Sequence, residues 1–255
     1  MKEGWLTATL AEKIPERVLK QGQGPIRKVL AKEAEGLNVN WDSSTRHGWL
    51  EVQAKGEDAE AFVNLLKGKF GEALIQSSGA ERWDVLKGFV TGAGRVGFGV
   101  YVDLGVFEPV RKDALYPLHR MRAQLADGAG KPCREILDEN ALVDYFPLRV
   151  VVSEIDGEKL GVELADETRD MLLSWRRLPF DRVIAVGVEK QQVENAVKSE
   201  GLQYDVIKIE GLSLLVQCLV CKVGTDAPGI IAKIGGRLRG AGLASYRTSR
   251  RLEKL

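Results

Sequence analysis

The chain has 255 residues, 44% of them hydrophobic, and a formal net charge of +1, a length and composition that suit two or three small globular domains. No apolar run approaches the roughly 18–20 residues needed to cross a bilayer. The opening MKEGWLTATLAEK has no apolar core behind a basic segment, so neither a membrane span nor a secretory signal is expected. In chain order, the first part reads strand, helix, strand, strand, helix. WLTATL is the first strand, and a helix follows the QGQGP break, with Ile26, Val29 and Leu30 at helical spacing. LNVNW and GWLEVQA alternate around the polar turn DSSTRH. Phe62, Leu65, Leu66 and Phe70 then form a helical stripe behind the acidic start GEDAE, and core is the expected use of that stripe. IQSSGAE, at 75–81, reads as a linker.

A β-rich region follows, with strands at DVLKGFV, FGVYVDL, ALYPL, PLRVVVSEI and KLGVEL. IDGEK between the last two is a tight turn, with Gly157 suited to positive φ. Residues 121–145 form an insertion, helical over 134–142. GAGRVG, at 92–97, has the spacing of a dinucleotide fingerprint, but that motif needs a helix directly after its glycines. The alternating FGVYVDLG follows instead, so a hairpin or bulge is expected, or a turn whose open amides meet a phosphate.

DETRDMLLSWRRL, at 166–178, is a connecting helix. Beyond it come a strand (DRVIAVGV), a helix closed by Gly201, strands at YDVIKIE and LLVQCLVCKV, a helix over APGIIAKIGGRLRGAGL, and a last strand in ASYRTSR. Strand, helix, strand, strand, helix, strand is the ferredoxin-like order, and the first part is a shorter version of it. Cys218 and Cys221 form a CxxC within a strand, where positions three apart face opposite sides. Two packed thiols are expected rather than a shared ligand or disulfide. Together with Cys133 they make three cysteines, which suggests a reducing compartment, the cytoplasm.

Gly88 and Val90, then Phe98, Gly99, Tyr101, Val102, Asp103 and Gly105, followed by VVVSEID turning through Gly157 into KLGVEL, resemble the S1-type OB-fold family over residues 83–165. The sequence departs from that pattern where the usual third-strand histidine falls on Pro117, with His119 two residues later. The resemblance implies RNA contacts through rings and cations on the outward barrel face, with Phe98 and Tyr101 as the stacking rings. These two are three apart, so either a bulge at Gly99 brings them together or one of them faces inward. Phe89, Arg95, Arg111, Lys112, His119, Arg120 and Arg122 are expected neighbours, and Arg247, Arg250 and Arg251 form a basic tail that suits RNA or an acidic partner.

Asp226, Pro228 and Gly229 resemble the strand-to-helix turn of the ligand-binding ACT modules, and a helix start of this kind presents amides to an anion, which makes Thr225, Asp226 and Gly229 a candidate ligand or anion turn. The whole-chain order resembles a conserved archaeal family without an assigned function. The expected fold is α+β and multidomain. A ferredoxin-like module over 1–75, an S1-like OB barrel over 83–165 and a ferredoxin-like βαββαβ module with a basic tail over 166–255 make up the chain. His47 and His119 come with no nucleophile and orienting acid, and no acidic spacing suits a catalytic metal. The expectation is therefore a non-catalytic RNA-binding protein with no cofactor and no metal. Its partners would be RNA, ribosomal RNA or a ribosomal subunit foremost, or a second copy in a homodimer, and no membrane. The alternative is an ACT-like ligand-sensing protein.

Overall fold

The computed structural model describes residues 4–22, 24–157 and 159–248. It is a mixed α+β structure with three sheets, one of them closed into a barrel.

The first unit contains β1 (Leu6–Lys13), α1 (Glu16–Gln21), α2 (Gly24–Glu33), β2 (Asn40–Arg46), β3 (Trp49–Lys55) and α3 (Ala59–Phe70). Its antiparallel sheet has the order β1-β3-β2. His47 (φ 54°) and Gly48 (φ 85°) turn β2 into β3, the two positive values that a twisted two-residue hairpin requires. The α3 stripe is core, as its spacing predicts. Phe62, Val63 and Leu66 of α3 join Ile26 and Leu30 of α2 over Leu50 and Val52 of β3. Only Leu65 of the predicted stripe faces out.

The segment 75–81 is not a free linker. β4 (Ile75–Gln76) runs parallel to a barrel strand, a 3-10 turn follows at Ser77–Gly79, and Ala80 is buried. The barrel strands are β5 (Val85–Thr91), β6 (Gly99–Glu108), β7 (Lys112–Pro117), β8 (Pro147–Asp156) and β9 (Lys159–Leu164). The circuit β5-β6-β7-β9-β8 closes on itself. Every contact around it is antiparallel except β7–β9, where Leu115 meets Gly161 in parallel. The β-branched alternation of these segments supplies one inward set, with Val100, Val102 and Leu104 facing Leu148, Val150 and Val162.

Between the third and fourth barrel strands lie α4 (Leu118–Leu125) and α5 (Cys133–Glu139). Met121, Leu125, Ile136 and Leu137 from these helices join the barrel core. α6 (Asp166–Arg177) packs beside α4, its Arg176 donating to the Leu125 carbonyl at 3.2 Å, and reaches the barrel core through Trp175, whose ring meets that of Phe146 edge-on at 6.3 Å.

The last unit runs β10 (Arg182–Val186), α7 (Lys190–Ser199), β11 (Val206–Ser213), β12 (Val216–Cys221), α8 (Ala227–Ile234) and β13 (Gly242–Tyr246). Its antiparallel sheet has the order β11-β12-β10-β13. α8 stops at Ile234, before the pair Gly235–Gly236, so it is shorter than its apolar spacing predicts. One sheet face lies under α7 and α8, and the other, with Ile184, Cys218 and Tyr246, packs onto the barrel core through Trp175. Both faces of this sheet are therefore occupied.

The cysteines follow the strand alternation. Cys218 faces the barrel-side core and Cys221 the helices. Burial pushes each thiol up to about 12. Because the thiolate is the reacting form, a chromogenic disulfide reagent at pH 8 is expected to leave both unmodified in the folded chain and to titrate them once urea unfolds it. Modification before unfolding would contradict the packing.

Side chains weld the three units together. Glu12 of β1 reaches the Lys87 ammonium of β5 at 2.5 Å and accepts from the Leu214 amide of the β11–β12 turn at 3.1 Å. Leu214 and Leu215 insert into the first unit's core. Arg17 of α1 donates to the Val186 carbonyl at 2.6 Å. Among the described residues no helix is long and apolar enough to cross a membrane.

Candidate nucleic-acid interface

The outward face of β6 is divided in two. Its second half is covered by the first unit. Asp103, fully buried, accepts from Lys13 at 2.5 Å, Trp49 Nε1 at 3.1 Å, the Gly105 amide at 2.9 Å and Arg111 at 3.1 Å. Gly105 has φ +81°, and a Cβ there would stand 2.9 Å from Ala73 and 3.3 Å from the Trp49 ring, so only glycine lets the first unit approach this closely. Phe89 belongs to this covered region and is not an RNA-facing ring. It is fully buried, 5.5 Å edge-on from Trp49, with Phe107 beyond. Its apolar ring serves the contact between the units.

The first half of β6 is open. Phe98 is 56% exposed and Tyr101 half-buried, and their rings meet edge-on at 6.4 Å and 89°. No bulge at Gly99 brings them together, because the β6–β7 register is regular from Gly99 to Val102. Phe98 precedes the strand, so strand alternation does not govern it. Its carbonyl accepts from the Leu118 amide, and Gly99 beside it brings the backbones so close that a Cβ would sit 2.5 Å from the Tyr116 oxygen. Tyr101 stands opposite Leu115, and Leu115 opposite Gly161, so the open surface continues around the barrel.

The predicted cations divide by environment. Arg95 is exposed on the β5–β6 loop and lines a cleft of about 460 Å³ with Lys13, His47, Arg111 and Tyr145. Glu16 and Asp144 line it too, so the cleft carries both signs. Arg111 is half-spent on Asp103, and Lys112 is half-buried opposite Val106. Burial and then the neighbouring Asp103 raise the carboxyl of Asp113 on the same strand, against the pull of Lys13 and Arg111.

His119 and Arg120 are not on a strand but on the exposed first turn of α4, and Arg120 pairs with Glu163 at 3.2 Å. Arg122 is not a free cation. It donates to the carbonyls of Lys131 (2.8 Å) and Gly130 (3.4 Å) and so ties down the loop between α4 and α5. Arg247 follows β13 and is half-buried rather than part of an open tail. Arg250 and Arg251 lie outside the described residues.

The glycine loop is a strand-to-strand connection, as the sequence predicts, with Gly92 and Gly94 at positive φ. The Ala93 amide inside it is already held by Asp144 at 2.7 Å. The 225–229 turn is likewise satisfied internally. Asp226 caps the Gly229 amide at 2.9 Å, Asp181 accepts from the Ala227 amide at 3.2 Å, and Thr225 bonds to Asp205 at 3.3 Å. Two carboxylates occupy the position an anion would take.

A second groove, of about 600 Å³ and not expected from the sequence, is lined by Arg82, Pro117, His119, Arg120, Glu154 and Gly161. Its α4 side was legible from Leu118, Met121 and Leu125 at helical spacing after Pro117. Its Arg82 side was not, because it depends on a turn that no local pattern marks.

Residues 80–176 match the family model described as the DUF2110 central domain, and residues 180–245 match that described as the DUF2110 C-terminal domain. The first match covers the barrel with α6, and the second the sheet from β10 to β13. No curated protein matches the chain.

Proposed function

We propose that this chain is a non-catalytic RNA-binding protein that holds single-stranded or looped RNA on the outward face of its barrel. The single observation that carries this reading is the exposed Phe98–Tyr101 pair, two rings in contact on the open half of β6. Exposed rings accept any base by stacking, and cations beside them neutralise phosphate.

The barrel order supports it. Counting strands from β5, the circuit is 1-2-3-5-4, with helices between the third and fourth. We read this as the OB arrangement, in which the face of strands 2–3 and the loops 1–2 and 4–5 hold oligonucleotides. Phe98, Tyr101 and Arg95 lie on that face or on loop 1–2. We read the last unit, with sheet order 2-3-1-4, as ferredoxin-like, and its occupied sheet faces make it a brace for the barrel rather than a second stacking surface. The S1-like cadence of the barrel points to translation or RNA processing, with ribosomal RNA as the partner.

The test is titration of a labelled single-stranded oligonucleotide against the full chain. Phe98→Ala with Tyr101→Ala is expected to weaken binding by roughly 1–3 kcal/mol for each base stacked, with the circular dichroism and melting curve unchanged. A folded double variant that binds like the parent would overturn the reading.

A further inference from the structure

Trp83 lies just before β5, 61% exposed, with φ +80°. A bulky residue in that backbone region is a steric outlier that persists only where its surroundings over-determine it. Here they do. The Trp83 amide donates to the Val152 carbonyl at 2.8 Å, the Val152 amide donates to the Asp84 carbonyl at 3.0 Å, and the Asp84 carboxylate caps the Glu81 amide at 2.7 Å. The turn thus projects an indole outward at a backbone cost that glycine would avoid. Arg82 stacks its guanidinium 4.7 Å from the ring centroid and is anchored by the Ser153 carbonyl at 3.1 Å.

Arg82 also lines the groove with His119, Arg120 and Glu154. That groove meets the ring pair, because Pro117 on its wall is the register partner of Gly99 and Leu118 donates to Phe98. The path crosses β6, β7, β9 and β8, about 14 Å of circumference at roughly 4.8 Å per strand. We propose that Arg82 and Trp83 form a second stacking platform, at which the same single strand of RNA held by Phe98 and Tyr101 places a further base on the indole and a phosphate beside Arg82 and His119. This rests on the RNA reading above and extends its footprint.

The test uses the full chain with a labelled oligouridylate of about 10 nucleotides, within the usual range for such a barrel. Trp83→Gly relieves the φ strain, so its melting temperature should equal or exceed the parent's. Trp83→Asn, which also tolerates that backbone region, guards against a folding artefact. Either variant is expected to bind about tenfold more weakly or worse. The loss should multiply with that of the Phe98/Tyr101 variant, since sites this far apart act independently. Unchanged affinity at Trp83, with the ring-pair variant still impaired, overturns the second platform and leaves the RNA reading intact. A parent chain that binds no oligonucleotide overturns both. A photocrosslinker at position 83 that yields protein adducts and no RNA adducts in cell extract assigns the patch to a protein partner and also overturns the proposal.

Discussion

Asp103→Ala is expected to lower folding stability by about 4 kcal/mol, within the range for breaking a buried ion pair from one side. The carboxylate is the acceptor for four donors, and three of them, Lys13, Trp49 and the Gly105 amide, are themselves buried. Removing it strands the Lys13 ammonium away from water and leaves the Trp49 indole N–H and the Gly105 amide without their acceptor, each a buried donor costing about 1–3 kcal/mol. Urea unfolding measures this as a lower midpoint at unchanged slope. Asp103→Asn should lose less, because its carbonyl still accepts from Trp49 and Gly105. A loss under about 1 kcal/mol for the alanine variant would mean that the first unit and the barrel are not held together through this carboxylate.

Glu12→Ala is expected to cost about 3 kcal/mol for a related reason. Lys87 would be left with the Phe70 carbonyl at 3.5 Å, and the buried Leu214 amide would lose its acceptor. Burial raises the Glu12 carboxyl, while Lys87 and the Leu214 amide pull the other way. A carboxyl raised on folding holds its proton more tightly in the folded chain than in the unfolded one. Its contribution to stability is therefore fully present below the ordinary carboxylate range and declines as pH rises through the folded value. Glu12→Gln should remove that slope while keeping the bond to Leu214. Combining it with Lys87→Met, which replaces the pair with groups needing no charge partner, should recover much of the alanine variant's loss. An equally large loss in the double variant, which keeps the bond to the Leu214 amide, would show that the ion pair itself carries the contact.

Both carboxylates sit in segments whose sequence shows only strand alternation. Asp103 lies in the VYVDLG run that carries the S1-like resemblance, and its position on the outward face of β6 follows from alternation alone. That this outward face meets Trp49 rather than solvent does not. The same applies to Phe89, an outward ring that its own strand pattern leaves on the surface. The first unit covers it because Gly105 allows the approach. Phe98 shows the reverse case. Strand alternation sets it opposite Tyr101, but it stands one residue outside the strand, where the Leu118 amide fixes it instead.

The barrel strands, the hairpin at the glycine loop, the opposed cysteines and the core stripe of α3 are written in local sequence, because each follows from side-chain period and turn chemistry within a dozen residues. Which half of the barrel face stays open emerges at the level of packing between units. So do the role of Arg122 in tying a loop, the capping of the 225–229 amides, and the outward hold on Trp83. Arg122 finds its carbonyls eight and nine residues on, in a loop without regular structure, and the other outcomes depend on partners tens of residues away, such as Asp181 for the Ala227 amide and Lys13 for Asp103. Their approach is set by packing and by the pairing of buried charges, and local periodicity carries no record of either.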